Sequence, residues 1–331
     1  MKSKKYIVGI DGGGTKTACM MVNLEDGSTA CSVTGGSNHQ IVGLSGTKES
    51  VSRAIDLACS QLSASREEIA FVFLGMAGAD FPEDFALLRS GLSEVLGGIP
   101  FEVVNDIWIV FSSAAQTHWG AVSICGTGSN LAVKTPEGTV HSVRALRYRL
   151  GNYGGGNHLT NIALHHAFRC DEGTGAYTRL VEELPALCHA QSMDDLAMKI
   201  YSSNYRYAYS FNISRLVFEL AAQDDEICLK VIREMGEELG EMLGRLIVRA
   251  GLGEEAVPVV LAGSQYAKDE HRLLIDPFYT RLMQYAPHVV VKLAEDPPVL
   301  GAVINAAAAI DQPLDSHSKE TLCRVAQKAF A

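Results

Sequence analysis

Two short segments of this sequence combine glycines, hydroxyl side chains and an adjoining apolar run: Asp11-Gly12-Gly13-Gly14-Thr15-Lys16-Thr17 and Gly126-Thr127-Gly128-Ser129. Glycines lack the Cβ that would keep a bulky phosphate chain away from backbone N–H groups, and hydroxyls supply further donors. Lys16 adds a positive charge, and Asp11 at a strand end can hold Mg²⁺ directly or through water. A single turn of this kind reads equally as a plain hairpin turn. Two, each starting from an apolar strand and carrying hydroxyls, point to phosphate. Neither is a Walker A loop, because no Gly-Lys-[Ser/Thr] follows a four-residue gap. Neither is a dinucleotide fingerprint, because Thr17 stands where a third glycine belongs and a strand follows rather than a helix.

Asp106 is the candidate base. Phosphoryl transfer to an alcohol needs a carboxylate that positions the hydroxyl and takes its proton. Asp106 follows the apolar run 101–105, and a carboxylate at the C-terminal end of a strand lies on the ligand face of an open α/β sheet. The competing reading makes it the N-cap of a helix starting at 107.

These residues need elements to hold them. Residues 5–24 read as strand, glycine turn, strand, and residues 121–133 repeat that design more than a hundred residues later. The repetition predicts a duplicated sheet domain, with one glycine turn from each half facing a common cleft. Helical spacing covers 47–64, 85–96, 107–115 and 298–309, with short strands at 71–75, 101–105, 257–262 and 288–293. Residues 214–251 are strongly periodic, with a break expected at Gly236 or at Asp224-Asp225. His165-His166 reads as helix surface, without other metal ligands nearby.

With 331 residues the chain exceeds what one hydrophobic core usually serves, so two domains are expected. The net charge of −10, with no basic run, argues against nucleic acid and anionic lipid as partners. No apolar stretch is long enough to cross a bilayer or to form a signal peptide. Eight cysteines include no Cys-x-x-Cys pair, which gives no zinc or iron–sulfur signal and fits a reducing cytoplasm.

The ordered series Gly9-Ile-Asp11-Gly-Gly-Gly-Thr-Lys-Thr17, Gly36-Ser-Asn38-His39, Gly75-Met-Ala-Gly78, Asn105-Asp106, Gly126-Thr-Gly-Ser-Asn130, Ala262-Gly263-Ser264 and Pro298-Val-Leu-Gly-Ala302 resembles the BadF/BadG/BcrA/BcrD ATPase family, and within it the N-acetylglucosamine kinases. The resemblance spans residues 5 to about 309. It implies an α/β fold of two ribonuclease H-like domains of the actin, hexokinase and Hsp70 type. These would be an N-terminal lobe over 1–116 and a C-terminal lobe over 117–331, with the last helix able to pack back on the first. It implies ATP with Mg²⁺, bound by Gly12, Gly13, Gly14, Thr15, Lys16 and Thr17, with Gly126, Thr127 and Gly128 opposite and Gly263 and Ser264 along the adenosine. Asn38, His39, Gly78, Asp106, Thr127 and Asn152 would face a small-molecule sugar, with Asp106 as base for the 6-hydroxyl. A homodimer is one alternative for the assembly.

One segment departs from that pattern. N-acetylglucosamine kinases show Gly-Asp-Glu-Gly-Ser where this chain has Gly151-Asn152-Tyr153-Gly154-Gly155, so both acids are missing. Asn152 keeps hydrogen-bonding capacity without charge. Arg147 and Arg149 precede it; facing a ligand they would favour an anionic sugar, and otherwise they are solvated strand residues. An ATP-hydrolysing regulator of the same fold and a degenerate sugar-binding protein are the alternatives to a kinase.

Overall fold

The computed structural model describes residues 3–115, 117–146 and 148–330. The chain divides into two compact units: Met1–His118 together with Ala294–Ala331, and Trp119–Leu293.

The first unit is built on β1 (Tyr6–Gly12), β2 (Lys16–Asn23), β3 (Thr29–Gly35), α1 (His39–Gln61), β4 (Ile69–Met76), α2 (Pro82–Leu96), β5 (Phe101–Asn105) and α3 (Asp106–Ala114). Its sheet has the order β3-β2-β1-β4-β5, with β1, β4 and β5 parallel. Both faces are covered, which explains the unbroken apolar run of β1. Tyr6, Val8 and Ile10 pack on the side of α1 and α2, while Ile7 packs on the opposite side.

The second unit repeats the hairpin-led sheet. It comprises β6 (Gly120–Cys125), β7 (Ser129–Lys134), β8 (Val140–Ser142), α4 (Gly156–Asp171), α5 (Leu180–Leu187), α6 (Met193–Ser202), α7 (Ile213–Ala221), α8 (Glu226–Arg249), β9 (Pro258–Ala262), α9 (Ser264–Ala267), α10 (Ile275–Leu282) and β10 (Val290–Leu293). The order is β10-β9-β6-β7-β8, with β6 and β9 parallel. The periodic stretch 214–251 breaks at Asp225, whose side chain accepts from Cys228 N and caps α8. Gly236 stays inside α8, where a Cβ would stand 2.4 Å from Leu274 O; the glycine serves close packing, not a break.

The chain then returns to the first unit as α11 (Pro298–Ala308) and α12 (Ser316–Phe330). Val299, Leu300 and Val303 of α11 are buried against Ile7, Met20 and Ile109, each such side chain contributing on the order of 1.5–3 kcal/mol. The approach is close: a Cβ on Gly301 would stand 1.9 Å from Ile109 O. The second unit therefore ends at Leu293, and both C-terminal helices belong to the first.

Among the described residues no helix is long and apolar enough to cross a membrane.

Candidate active site

Parallel strands β1, β4 and β5 end side by side, so the residues leaving their C-terminal ends are neighbours. Asp11 of β1 pairs with Gly75 of β4, and Met76 pairs with Asn105 of β5. Asp106 is not the helix cap. Asn105 takes that position, its Oδ1 accepting from Ile107 N at 3.1 Å, and Asp106 is the first residue of α3. Its carboxylate meets the backbone N–H groups of Asp106 and Ile107 at the start of that helix. Burial, with Asp11 and then Asp80 adding repulsion, pushes Asp106 up to about 7. Burial likewise raises Asp11 to about 6, while Lys16 pulls it down. Both side chains are partly exposed; crowding by protein and like charge replaces water without removing it.

Asp80 is the residue that sequence reasoning missed. It follows β4 in the turn after Gly78. Asn105 Nδ2 donates to Asp80 Oδ1 at 2.9 Å and to Ala79 O at 3.1 Å. The signal was present, as an acid two residues beyond the Gly75–Gly78 motif, but its meaning depends on an asparagine 25 residues further on.

The first glycine turn is fastened from below. Gly13 N donates to Lys16 O, Ser37 N and Asn38 N donate to Gly13 O, and Ala77 N donates to Gly12 O. Thr15 and Lys16 are exposed at its tip. Thr17 differs from the expected phosphate donor. Its side chain is fully buried, and its hydroxyl bonds Gly35 O at 2.7 Å and Ser37 Oγ at 2.8 Å. It fixes the turn to β3, because its place in β2 opposite Gly12 directs the side chain into the protein.

Asn38 caps α1, accepting from Gln40 N, and lies against Gly78, where a Cβ would meet Asn38 Oδ1 at 2.7 Å. His39 Nε2 bonds Asp84 Oδ1 at 2.9 Å, and His39 Nδ1 is buried without a partner. Asp84 also accepts from Phe81 N at 2.9 Å. Asn38, His39, Gly78 and Asp106 are thus gathered at one sheet edge.

The second turn is held by close backbone approaches. Gly126 N donates to Gly128 O, while Gly156 N and Asn157 N at the start of α4 donate to Gly126 O and Thr127 O. Gly155 has φ of 91° and a Cβ there would stand 2.5 Å from Gly128 Cα. Gly263 has φ of 102° and a Cβ there would stand 2.6 Å from Cys125 C. Neither position tolerates a side chain. Gln265 Nε2 adds a bond to Gly126 O at 3.3 Å. Thr127 and Gly128 are exposed, as is Ser264. Beside α9 lies a cavity of about 500 Å³, lined by Asn212, Arg215, Lys268 and Asp269 among others.

Asn152 is not available in the expected way. It is buried, its Nδ2 donates to Ser129 O at 3.0 Å, and its Oδ1 accepts from Ser129 Oγ at 3.3 Å. Ser129 Oγ also bonds Tyr153 O. Both side chains are occupied in tying the 151–155 segment to β7. Arg149 lies exposed on a 3₁₀ turn, Tyr148–Leu150, not on a strand; Arg147 lies outside the described residues.

Among the described residues no group of three or more His, Cys, Asp or Glu is arranged to hold a metal. The residues nonetheless suit Mg²⁺. Asp11 is a crowded carboxylate whose charge a cation would relieve, and Mg²⁺ commonly takes one or two carboxylates with water and substrate phosphates.

Residues 8–306 match the BadF/BadG/BcrA/BcrD ATPase family. An N-acetyl-D-glucosamine kinase of Dictyostelium discoideum is 27% identical over 313 residues, covering 91% of this chain and 98% of the relative. An N-acetylmuramic acid/N-acetylglucosamine kinase of Clostridium acetobutylicum is 25% identical over 316 residues, covering 93% and 100%. Among solved structures, a candidate N-acetylglucosamine kinase of Chromobacterium violaceum aligns with a TM-score of 0.66 at 20% identity, covering 92% of this chain and all of that one. The fold of the chain is the actin-like ATPase fold, with its two hairpin-led mixed sheets.

Proposed function

We propose that this chain, which belongs to the BadF/BadG/BcrA/BcrD ATPase family, is an ATP-dependent sugar kinase that phosphorylates an amino sugar such as N-acetylglucosamine. The observation that carries the reading is Asp106: a carboxylate at the first position of α3, raised to about 7 by its surroundings, at the edge where a parallel sheet receives ligands. A base of that strength takes a hydroxyl proton efficiently near neutral pH. The kinase names of the two curated relatives agree with it.

In this reading Asp106 accepts the proton of the acceptor hydroxyl. The hydroxyl oxygen bonds the γ-phosphorus, the bond from that phosphorus to the β–γ bridging oxygen breaks, and ADP leaves. Gly12, Gly13, Gly14 and Thr15 hold phosphates with Lys16 near them, and Gly126, Thr127 and Gly128 form a second turn suited to phosphate. Thr17 supports the turn from within. Asp11 would hold Mg²⁺, which would supply neutralisation of phosphate charge. Gly263 and Ser264 run along the adenosine, which the adjoining cavity with Asn212 and Lys268 supports. Asn38, His39 and Gly78 shape the acceptor side. Eight scattered cysteines without a Cys-x-x-Cys pair fit a reducing cytoplasm.

The test is coupled ADP release with N-acetylglucosamine, N-acetylmuramic acid, glucose and water as acceptors, with ³¹P NMR of the product. Turnover that requires a sugar and yields a sugar phosphate is expected. Equal ATP loss with water alone overturns the kinase in favour of an ATP-hydrolysing regulator.

A further inference from the structure

The turn after β4 carries a carboxylate that the reaction as described leaves unused. Asp80 is exposed, yet it is not a loose surface side chain. One oxygen is fixed by Asn105 Nδ2 at 2.9 Å. Asn105 is itself locked, because its other amide atom caps Ile107 and its Nδ2 also donates to Ala79 O. Asp84 holds the same turn from beneath, accepting from Asp80 N at 3.2 Å and Phe81 N at 2.9 Å. Gln40 Nε2 donates to Gly78 O at 3.2 Å, closing the far side of the turn.

The consequence is a preset acceptor of hydrogen bonds. Asp80 is bonded to Asn105, the residue directly before Asp106, which places its carboxylate at the start of α3. Around them stand Asn38, Gln40 and Asn105, amides that can both donate and accept. A rim of fixed carboxylates and amides suits a polyhydroxyl compound. Vicinal hydroxyls donate to the carboxylates and accept from the Asn38 amide nitrogen, and the bonds to charge are the strong ones. It does not suit an anionic group, which would face the like charges of Asp11, Asp80 and Asp106.

On the reading of the chain as a sugar kinase, we infer that Asp80 is an acceptor-binding residue: it accepts a hydrogen bond from a hydroxyl neighbouring the one that is phosphorylated, and it restricts the part of the acceptor beside Asp106 to neutral hydroxyls. Asn105 acts through it, as a positioning residue. Asp80 therefore contributes to acceptor affinity and leaves the nucleotide untouched.

The test compares wild type, Asp80→Asn and Asp80→Ala, measuring KM for N-acetylglucosamine and for ATP with thermal melts of each protein. Asparagine keeps an acceptor oxygen for Asn105 and loses the charge; alanine loses both. We expect KM for the sugar to rise about tenfold in Asp80→Asn and about 100-fold in Asp80→Ala, the range for losing hydrogen bonds to a charged group. KM for ATP should stay within about twofold, and the melting temperature of Asp80→Asn should stay close to wild type. An unchanged sugar KM overturns the inference, as does a parallel rise in both KM values. Absence of sugar-dependent turnover in the wild type is a different result: it removes the kinase reading itself, and the inference with it.

Discussion

The two glycine turns look alike in sequence and are built differently. The first, at residues 12–15, sits among charge: Asp11, Lys16, Asp80 and Asp106 surround it, and backbone bonds fasten it to Ser37, Asn38 and Ala77. The second, at residues 126–128, is held by shape. Gly155 and Gly263 let two further backbone segments reach it, and the start of α4 donates to its carbonyls. The comparison teaches that a shared motif does not imply a shared division of labour. The first turn lies with the groups that would move a proton and meet a cation. The second holds a fixed backbone surface whose geometry is set by what cannot fit beside it.

The strongest challenge to this contrast is Asp106→Asn. Transfer should fall by about 10²–10⁴-fold, with ATP affinity within about twofold of wild type by calorimetry. Retained transfer would place the chemistry elsewhere.

Next is the same small substitution on both sides. Gly155→Ala forces a Cβ into Gly128 at positive φ and should cost roughly 2–4 kcal/mol in urea unfolding. At Gly14 a Cβ would meet only the tip of Ile41 at 3.0 Å. Gly14→Ala should change stability by less than about 0.5 kcal/mol, yet raise KM for ATP about tenfold by blocking approach to the backbone. If both variants lose stability alike, the contrast fails.

The pH dependence separates the turns further. With Asp106 raised to about 7, kcat/KM should drop by about tenfold per pH unit on the acid side of that value. The stability effect has the opposite direction. Between the ordinary carboxylate value of 3.8 and about 7 the folded state binds more protons at Asp106 than the unfolded chain does, so stability falls as pH rises through that window. Asp106→Asn should remove this loss and melt higher than wild type at pH 8, by roughly 1–2 kcal/mol once the partial exposure of the side chain is discounted. At pH 4 the two proteins should melt alike.

The smallest effect is expected from Thr17→Val. Losing the bonds to Gly35 and Ser37 should cost about 1–2 kcal/mol in unfolding. Its KM for ATP should change less than that of Gly14→Ala. A larger nucleotide effect would return the Thr17 hydroxyl to the phosphates.

Much of the framework was legible because strands buried on both faces read as apolar runs, and β1 and β6 are of that kind. β3 escaped because Thr29–Gly35 mixes small polar and apolar residues with only partial burial. Asp106 was legible as the acid after a strand; its place one residue inside α3 was not, since that turns on whether Asn105 or Asp106 takes the cap. Asn152 shows the reverse failure. Its amide looked suited to a ligand, and only the register that sets Ser129 beside it reveals that the amide is already engaged. The Ala- and Gly-rich 298–309 segment announced close packing but not its partner, which lies almost three hundred residues back in β1.

The return of α11 has a consequence for how the protein is made. A ribosome releases residues 119–293 before it releases Val299, Leu300 and Val303. The second unit can therefore complete its core while the first still lacks one wall. During that interval Ile7, Met20 and Ile109 lack their α11 partners, and the nascent chain is exposed to chaperones and proteases. Arrested chains ending just after residue 297 should be cut readily within residues 5–115 and resist within 119–293, whereas chains extended through α12 should resist in both.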